Sequence, residues 1–363
     1  MSKRILLIAN EYTTIVHFRM ELISRLISEG HIVAVAIPNH ERNAEIKALG
    51  CEIIELPINR KSTNPVKDLK IAIRIRQILR EFKPDIVFTF TIKPNVYGGF
   101  VCGMKKVPYV ANITGLGTAV ENGGIMQKIT SVLYRAGLKK AQSVFFQNTE
   151  NRDYMLNHKI VKGQYKLIPG SGVNIKRFKL IDKKPSDEIN FVYVARVMRE
   201  KGIEQYFDAA KYITAKYPNT KFHICGSLEQ GYEQQLNDYH DKGIVIYHGM
   251  VSDMTKIYSF ADCTVHPTFY PEGMSNVLLE SSASGIPLIT TDRSGCREIV
   301  EDGINGFIVK QQDSNDLIEK IEKFISLSFE QRKNMGISGR QKVEREFDRN
   351  VVIGCYLEEI EKI

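Results

Sequence analysis

The chain has 363 residues, enough for two domains of ordinary size, each with its own core. With 43% hydrophobic and 25% charged residues, the composition excludes disordered and fibrous classes, and no apolar run approaches the roughly 20 residues that cross a bilayer. The net charge of +8 is unevenly distributed, because residues 1–180 carry 28 Lys and Arg against 13 Asp and Glu, and residues 181–363 carry 22 against 29. A basic half indicates a polyanionic partner, namely nucleic acid, anionic lipid or a phosphorylated substrate, although basic residues can also serve solubility alone.

Short apolar runs alternate with helical patterns in both halves of the chain. In the first half the predicted strands are Ile5–Ala9, His31–Ile37, Glu52–Leu56, Asp85–Phe90, Tyr109–Asn112 and Ser143–Gln147. In the second half they are Ile189–Ala195, Lys221–Cys225, Ile244–Tyr247, Cys263–His266, Leu288–Thr291 and Phe307–Val309. This βαβ rhythm predicts two doubly wound parallel sheets. The stretch rich in Gly, Pro and charge between the halves predicts a hinge linker over residues 171–188.

The N-terminal segment and the cysteines indicate the compartment. The apolar run near Met1 ends at the polar Asn10, so it is too short for a signal peptide and is typical of a first buried strand. The six cysteines show no CxxC spacing, which favours a reducing cytoplasm without a structural metal.

A strongly basic helix is predicted at Val66–Phe82, with Asn64 as its N-cap and Pro65 at its first position. One side of this helix carries Leu69, then either Ile73 or Ala72, and then further apolar residues as far as Phe82. This side is expected to pack on the sheet. Its cations, with Arg60 and Lys61 just before it, are expected to attract anionic lipid. No helix-turn-helix, zinc-finger or stacking signature accompanies this charge, so we expect no nucleic-acid partner.

Two strings follow neighbouring strands of the first half, at the edge where ligands bind in open α/β sheets. The first runs from Thr89 to Gly98 and the second from Asn112 to Thr118. Glycines in both allow a close backbone approach, and Lys93 is a candidate partner for a phosphate.

In the second half, a β-branched and aromatic run from Asn190 ends in a loop with Arg196 and Lys201, before a helix opens near Gly202. An Arg fork, a Lys point charge and a helix N-terminus at the end of a parallel strand suit a diphosphate. Taken alone, the same loop would more often be a solvated pair of surface cations than a diphosphate site.

The segment Tyr270–Glu280 places Glu272 and Glu280 on either side of a helix start, with Ser275 as the predicted N-cap. Glu272 can accept hydrogen bonds from a polyol, and Glu280, about two turns further on, can hold a second hydroxylated ring. Two glutamates at this spacing are usually solvated surface charges. The prediction of a binding site therefore depends on the surrounding residues of the segment.

Together these strings resemble the retaining glycosyltransferases of family 4, which have the GT-B fold. The resemblance spans nearly the whole chain and is most specific in the second half, at Arg196–Gly202, Cys225-Gly226, His248-Gly249, Ala261-Asp262, His266-Pro267, Glu272–Glu280, Ser284–Pro287 and Gly303–Phe307. It implies two Rossmann-like domains facing across a cleft: residues 1–170 for the acceptor and 189–346 for the nucleotide sugar. A C-terminal helix within 347–363 would cross back onto the first domain.

The resemblance also implies roles for the site residues. Arg196 and Lys201 would hold the donor diphosphate and, with Glu272, carry catalysis, while Glu280 would hold the ribose. The remaining donor contacts fall on Gly226 and on the amides of Gly273, Met274 and Ser275, and the acceptor contacts fall on Lys93, Asn95, Thr114, Gly115 and Gly117. No Asp-x-Asp signature is present, so neither a metal nor a cofactor is expected.

The first-half strings are similar to those of the subgroup that elongates undecaprenyl-diphosphate-linked glycans. That similarity implies transfer of a hexose or N-acetylhexosamine from a UDP-sugar in bacterial capsule, O-antigen or glycoprotein glycan assembly. The expected location is the cytoplasm, peripherally on the inner face of the bacterial cytoplasmic membrane, through the basic N-terminal domain.

Two other kinds of protein remain open at this point. A UDP-sugar 2-epimerase shares the fold and the diphosphate chemistry and would release an isomerised nucleotide sugar. A non-catalytic lipid- or nucleotide-binding module would bind in a salt-sensitive way and release no UDP.

Overall fold

The computed structural model describes residues 1–58, 65–117, 123–229 and 231–363, with backbone only at 65–67. The chain forms two compact units. The first consists of Met1–Ser171 and Asn350–Ile363, and the second of Gly172–Arg349.

The first unit contains a parallel seven-stranded sheet, in the order β3-β2-β1-β4-β5-β6-β7. Its strands are β1 Arg4–Ile8, β2 Ile32–Ile37, β3 Glu52–Glu55, β4 Ile86–Phe90, β5 Tyr109–Ile113, β6 Ser143–Phe146 and β7 Tyr165–Leu167. Both faces of the sheet are buried. Ile5 and Leu7 of β1 belong to one core, and Leu6 and Ile8 belong to the other, as period-two alternation requires.

The helices between these strands cover both faces of the sheet. They are Tyr12–Val16, Met20–Ser28, Asn43–Lys47, Pro65–Phe82, a π-helical turn Pro94–Gly98 that continues into Gly99–Lys105, then Gly124–Leu138 and Thr149–Asn157. The last helix of the chain, Arg349–Glu361, packs on the core that also contains helix Met20–Ser28. There Tyr356 donates a hydrogen bond to Asn112 Oδ1 (2.5 Å), and its ring lies edge-on to Phe88, with centroids 5.0 Å apart.

The second unit contains a parallel six-stranded sheet, in the order β10-β9-β8-β11-β12-β13. Its strands are β8 Ile189–Val194, β9 Thr220–Cys225, β10 Ile246–Tyr247, β11 Cys263–His266, β12 Leu288–Thr291 and β13 Gly306–Val309. Its helices are a 3₁₀ turn Arg199–Lys201, then Ile203–Lys216, Glu233–Asp241, Met254–Tyr258, Asn276–Ala283, Ser314–Ser326 and Phe329–Glu346. Central strands buried on both faces explain the near-continuous apolar runs in the sequence.

The predicted α/β class with two parallel sheets is confirmed, and each of the predicted strands is present to within about two residues. Strand β7 was not predicted, because its three residues are mostly exposed and have no apolar pattern. The segment predicted as a linker, residues 171–188, falls almost entirely in the second unit. Val173 and Phe178 of this segment are buried, and the Val173 N–H donates to the Phe347 carbonyl (2.9 Å).

The basic helix is Pro65–Phe82, but its predicted apolar side is wrong at two positions. Leu69 and Ile73 are exposed, at 62% and 50%, whereas Ile71, Ile75 and Ile78 are buried. The sequence allowed two overlapping apolar stripes, and packing against the sheet used the one through Ile71. The predicted N-cap Asn64 and the cations Arg60 and Lys61 lie outside the described residues.

All six cysteines are buried and in the thiol form. Among the described helices, none has both the length and the apolarity that a membrane span requires.

Candidate active site

The predicted donor residues converge at the carboxyl edge of the second sheet. Arg196 follows β8 by two residues, Gly226 follows β9 directly, and Glu272 lies in the loop after β11. Because parallel strands place their carboxyl ends at one edge, residues more than seventy positions apart in the chain become neighbours there.

The centre of this site is an ion pair between Lys201 and Glu272. The Lys201 side chain is 11% exposed and the Glu272 side chain 18%, so the pair is largely shielded from water. The Lys201 ammonium also lies 4.7 Å from the centroid of the Tyr270 ring. In this environment the ammonium is held at a defined position, since a carboxylate and an aromatic face both attract it.

Arg196 supplies a second cation beside the same ring. Its guanidinium carbon lies 5.7 Å from the Tyr270 centroid, and its Nη1 bonds Glu229 at 3.0 Å. The Arg196 side chain is 42% exposed, so it can leave Glu229 for a stronger anion at little cost. Two cations around one tyrosine thus form a positive recess suited to a diphosphate.

The buried His266, at the end of β11, is affected by the positive charge of Lys201. Burial, and secondly the charge of Lys201, lowers the pKa of His266 to about 3. The imidazole is therefore neutral at physiological pH and adds no competing charge.

Backbone conformation fixes the loop that carries Lys201. Gly202 has φ +76°, and a Cβ there would lie 2.1 Å from the Pro267 carbonyl oxygen. A side chain at this position is excluded both by conformation and by space. The close approach holds the 3₁₀ turn Arg199–Lys201 against the strand end that leads to Glu272.

Gly226 has a similar packing role. Its φ is +149°, and a Cβ would lie 1.9 Å from the Ala195 carbonyl oxygen. The Gly226 N–H already donates to the Gly249 carbonyl (2.8 Å), so this residue brings the loops after β8 and β9 together and offers no amide to a ligand.

The amides after Glu272 differ in their availability. Gly273, Met274 and Ser275 are all buried, and Ser275 occupies the N-cap position of helix Asn276–Ala283 without a side-chain capping bond. The Ser275 N–H donates to the Gly295 carbonyl (2.8 Å). The Ser275 amide is thus used inside the protein, and its predicted contact with the donor stays a prediction.

A turn from the loop after β12 supports this segment, and the sequence offered no signal for it. Glu298 accepts hydrogen bonds from the Gly295 N–H (2.7 Å) and the Ser294 hydroxyl (3.1 Å). Gly295 has φ +88°, and a Cβ there would lie 2.7 Å from the Gly273 carbonyl oxygen. The Glu272 loop thus rests directly on this turn.

Glu280, on helix Asn276–Ala283, is surrounded by charged and aromatic residues. Burial raises the pKa of its carboxyl to about 7, and the charges of Arg349 and Arg177 and a hydrogen bond from Tyr258 (3.3 Å) oppose the rise. These partners are distant in sequence and were not predicted. The predicted ribose contact of Glu280 stays a prediction.

The raised pKa of Glu280 predicts how the stability of the chain depends on pH. The folded chain keeps a proton on Glu280 that the unfolded chain loses above about pH 4.5, so this group lowers stability as pH rises through the window from 4.5 to 7. We expect Glu280→Gln to gain stability over the wild type by about 2 kcal/mol between about pH 5 and pH 8. Urea unfolding at both pH values measures this difference.

An exposed carboxylate provides the control. The pKa of Glu322 is lowered by its hydrogen bond from Lys216, so Glu322→Gln should lose stability relative to the wild type as pH rises, if it changes at all. A pH-independent difference for Glu280→Gln would show that its carboxyl titrates normally.

The predicted acceptor residues in the first unit differ in their burial and in their hydrogen-bond partners. Lys93 Nζ is bonded to the Asp68 carboxylate (2.7 Å), which also accepts from the Tyr97 hydroxyl (2.7 Å). The Lys93 side chain is 13% exposed, so its charge is largely neutralised within the fold. The phosphate contact predicted for Lys93 stays a prediction, and it would require the ammonium to leave Asp68.

Asn95 is fully buried. It accepts from the Thr89 hydroxyl (2.7 Å) and donates to the Asn112 carbonyl (2.7 Å), so its side chain joins β4 to β5, and its acceptor contact stays a prediction. Thr114, Gly115 and Gly117 are half-buried in the loop after β5, and their acceptor role stays a prediction.

Comparison with known proteins agrees with the fold. A family model described as "Glycosyl transferase 4-like" matches residues 4–148, and one described as "Glycosyl transferases group 1" matches residues 174–342. The structure of Anabaena Alr3699/HepE, solved with UDP and glucose, has a TM-score of 0.80 at 16% identity and covers 99% of this chain and 100% of that one.

Two curated relatives are similar over most of their length. The N,N'-diacetylbacillosaminyl-diphospho-undecaprenol alpha-1,3-N-acetylgalactosaminyltransferase of Campylobacter jejuni is 26% identical over 99% of both chains. The capsular polysaccharide biosynthesis glycosyltransferase CapM of Staphylococcus aureus is 26% identical over 85% of this chain and 84% of that one.

The two parallel-sheet units and the similarity to HepE define the GT-B fold. Matches to both halves place the chain in glycosyltransferase family 4, as the sequence motifs predicted.

Proposed function

We propose that this chain transfers a hexose or N-acetylhexosamine from a UDP-sugar to a polyprenyl-diphosphate-linked glycan, with retention at the anomeric carbon, in bacterial surface polysaccharide synthesis. The observation that carries the proposal is the shielded Lys201–Glu272 pair beside Tyr270 and Arg196. This arrangement offers cations for a diphosphate and a carboxylate for sugar hydroxyls within one recess.

The substrate classes rest on the relatives. The Campylobacter jejuni enzyme is named for transfer of N-acetylgalactosamine to an undecaprenol-diphosphate-linked sugar, and it matches this chain from end to end. The Staphylococcus aureus enzyme is named for capsular polysaccharide biosynthesis. HepE supports a uridine nucleotide as donor, since its structure holds UDP. Both relatives favour transfer over epimerisation or simple binding.

In the proposed reaction, the bond between the anomeric carbon and the leaving diphosphate breaks first, and negative charge builds on the phosphate oxygen. Lys201 and Arg196 stabilise this charge more in the transition state than in the ground state. Glu272 positions the sugar through its hydroxyls. The acceptor hydroxyl attacks from the same face, and the leaving phosphate takes its proton, so the products are the α-linked or β-linked glycan of unchanged anomeric configuration and UDP.

We further propose that these protein cations make a divalent metal unnecessary, and that the enzyme works at the inner face of the cytoplasmic membrane, where its lipid-linked acceptor resides. We assign the nucleotide sugar to the second unit and the acceptor to the first, as the resemblance to the family implies.

Mass spectrometry of the acceptor tests the proposal. A polyprenyl-diphosphate-linked aminosugar is incubated with the enzyme and a panel of UDP-sugars, with and without EDTA. We expect a mass gain of one hexose or N-acetylhexosamine that EDTA does not abolish and that Glu272→Ala loses. Isomerised UDP-sugar without a mass gain would identify an epimerase. Nucleotide binding with neither product would identify a binding module.

A further inference from the structure

Three neighbouring helices of the first unit leave apolar side chains in water. Helices Pro65–Phe82, Gly99–Lys105 and Gly124–Leu138 pack side by side on the sheet face that contains Leu6 and Ala111. Their buried sides face the strands, and their opposite sides are exposed. We call this exposed side the three-helix face.

Helix Gly124–Leu138 contributes most of the apolar surface. Its exposed residues are Ile125, Met126, Ile129, Val132 and Leu133, with Ile125 exposed at 77% and Val132 at 58%. Their spacing forms one stripe along the helix, opposite the stripe of Thr130, Tyr134 and Leu138 that is buried. An amphipathic helix buries one apolar stripe in its own domain, and this one carries a second.

The two adjacent helices extend the same surface. Phe100 and Met104 are exposed on helix Gly99–Lys105, at 47% and 54%. The exposed Leu69 and Ile73 of helix Pro65–Phe82 lie on the far side of it. Exposed apolar residues grouped on three adjacent helices mark an interaction surface more often than single scattered ones do.

The exposed charges around this surface are mainly positive; on helix Pro65–Phe82 an exposed Glu81 pairs with Arg74 (3.7 Å). Helices Gly99–Lys105 and Gly124–Leu138 contain no Asp or Glu. Exposed cations border their apolar residues at Lys105, Lys106, Lys128 and Lys139, and Lys70 and Arg76 do so on the third helix. Long basic side chains around exposed Ile, Met and Phe are the pattern of a surface that inserts between anionic lipid headgroups.

We propose that the three-helix face docks the enzyme on an anionic bilayer, with the apolar residues of helix Gly124–Leu138 entering the interface and the lysines contacting headgroup phosphates. A second copy of this chain would place like charges against each other, whereas headgroup phosphates complement the cations that border the apolar residues. The inference rests on the proposed function, because an enzyme with a lipid-linked acceptor must reach the membrane surface. It moves the predicted lipid contact from the basic helix alone to all three helices.

Co-sedimentation with vesicles tests the docking without any substrate. The full chain is mixed with vesicles of phosphatidylcholine alone or of phosphatidylcholine with phosphatidylglycerol. We expect strong binding only to the anionic vesicles, falling steeply with salt. The triple variant Ile125→Gln, Ile129→Gln, Val132→Gln should bind at least about tenfold more weakly, because each glutamine removes apolar surface that would be buried in the bilayer.

Matched variants keep the test specific. The replaced residues are exposed, so thermal unfolding of the triple variant should match that of the wild type. Met250→Gln with Ile304→Gln alters equally exposed apolar residues of the second unit and should leave vesicle binding unchanged. Lys105→Gln with Lys106→Gln should weaken binding to anionic vesicles.

The outcome is independent of transfer. Glu272→Ala should lose transfer and keep vesicle binding, so a failure of the proposed reaction would not be mistaken for a failure of docking. Wild-type binding by the triple variant would overturn the proposal. A chain that ignores vesicles but forms dimers, which the triple variant dissociates, would assign the face to self-association instead.

Discussion

Lys201→Met is expected to lower kcat/KM for the nucleotide sugar by about 10²- to 10³-fold, the effect of removing one preorganised donor from a developing oxyanion. The substitution removes the ammonium that pairs with Glu272 and lies 4.7 Å from the Tyr270 ring, while methionine preserves most of the side-chain volume. Initial rates of UDP release with the lipid-linked acceptor measure the loss. Most of it should appear in kcat, because the charge on the leaving phosphate is largest in the transition state.

Lys216→Met is the matched control, since it removes an exposed lysine that pairs with Glu322 in the same unit. Its kcat/KM should stay close to that of the wild type. If Lys201→Met also retained wild-type kcat/KM, the diphosphate would have to be held elsewhere and the assignment of this recess would be wrong.

The second large effect is on stability. Gly202→Ala is expected to lower the free energy of unfolding by about 2–5 kcal/mol, from the left-handed backbone and from overpacking together. The φ of Gly202 is +76°, and the new methyl group would lie 2.1 Å from the Pro267 carbonyl oxygen. Because Lys201 is the adjacent residue, the shift that relieves this clash should also displace its ammonium and reduce activity.

Gly243→Ala separates the two causes. Gly243 has a similar φ of +69°, but no atom lies within 4 Å of the position of its Cβ, so only the conformational cost of about 1 kcal/mol remains. Urea unfolding of both variants gives the comparison. Equal losses at the two glycines would mean that the contact with Pro267 costs nothing and does not hold the loop.

The predicted acceptor residues show which part of a residue's surroundings cannot be predicted from the sequence. Lys93 and Asn95 follow β4 at the edge of the sheet where ligands bind, as predicted, yet Lys93 pairs with Asp68 and Asn95 joins β4 to β5. The strand pattern gave their position along the chain. It could not give their partners, which come from a helix and a strand elsewhere in the sequence.

The sequence by itself determined the class of fold, the order of nearly all strands and the family, because strand periodicity and short motifs are local properties. It also located Arg196, Lys201 and Glu272 at strand ends, since the carboxyl edge follows from the direction of the chain. Only the tertiary structure decided which groups meet. Packing between distant segments forms the Lys201–Glu272 pair and places Tyr270 beside two cations. It also decides that Glu280 is buried and that Leu69 and Ile125 are exposed. The reason is that burial and charge depend on neighbours that are not adjacent in the sequence.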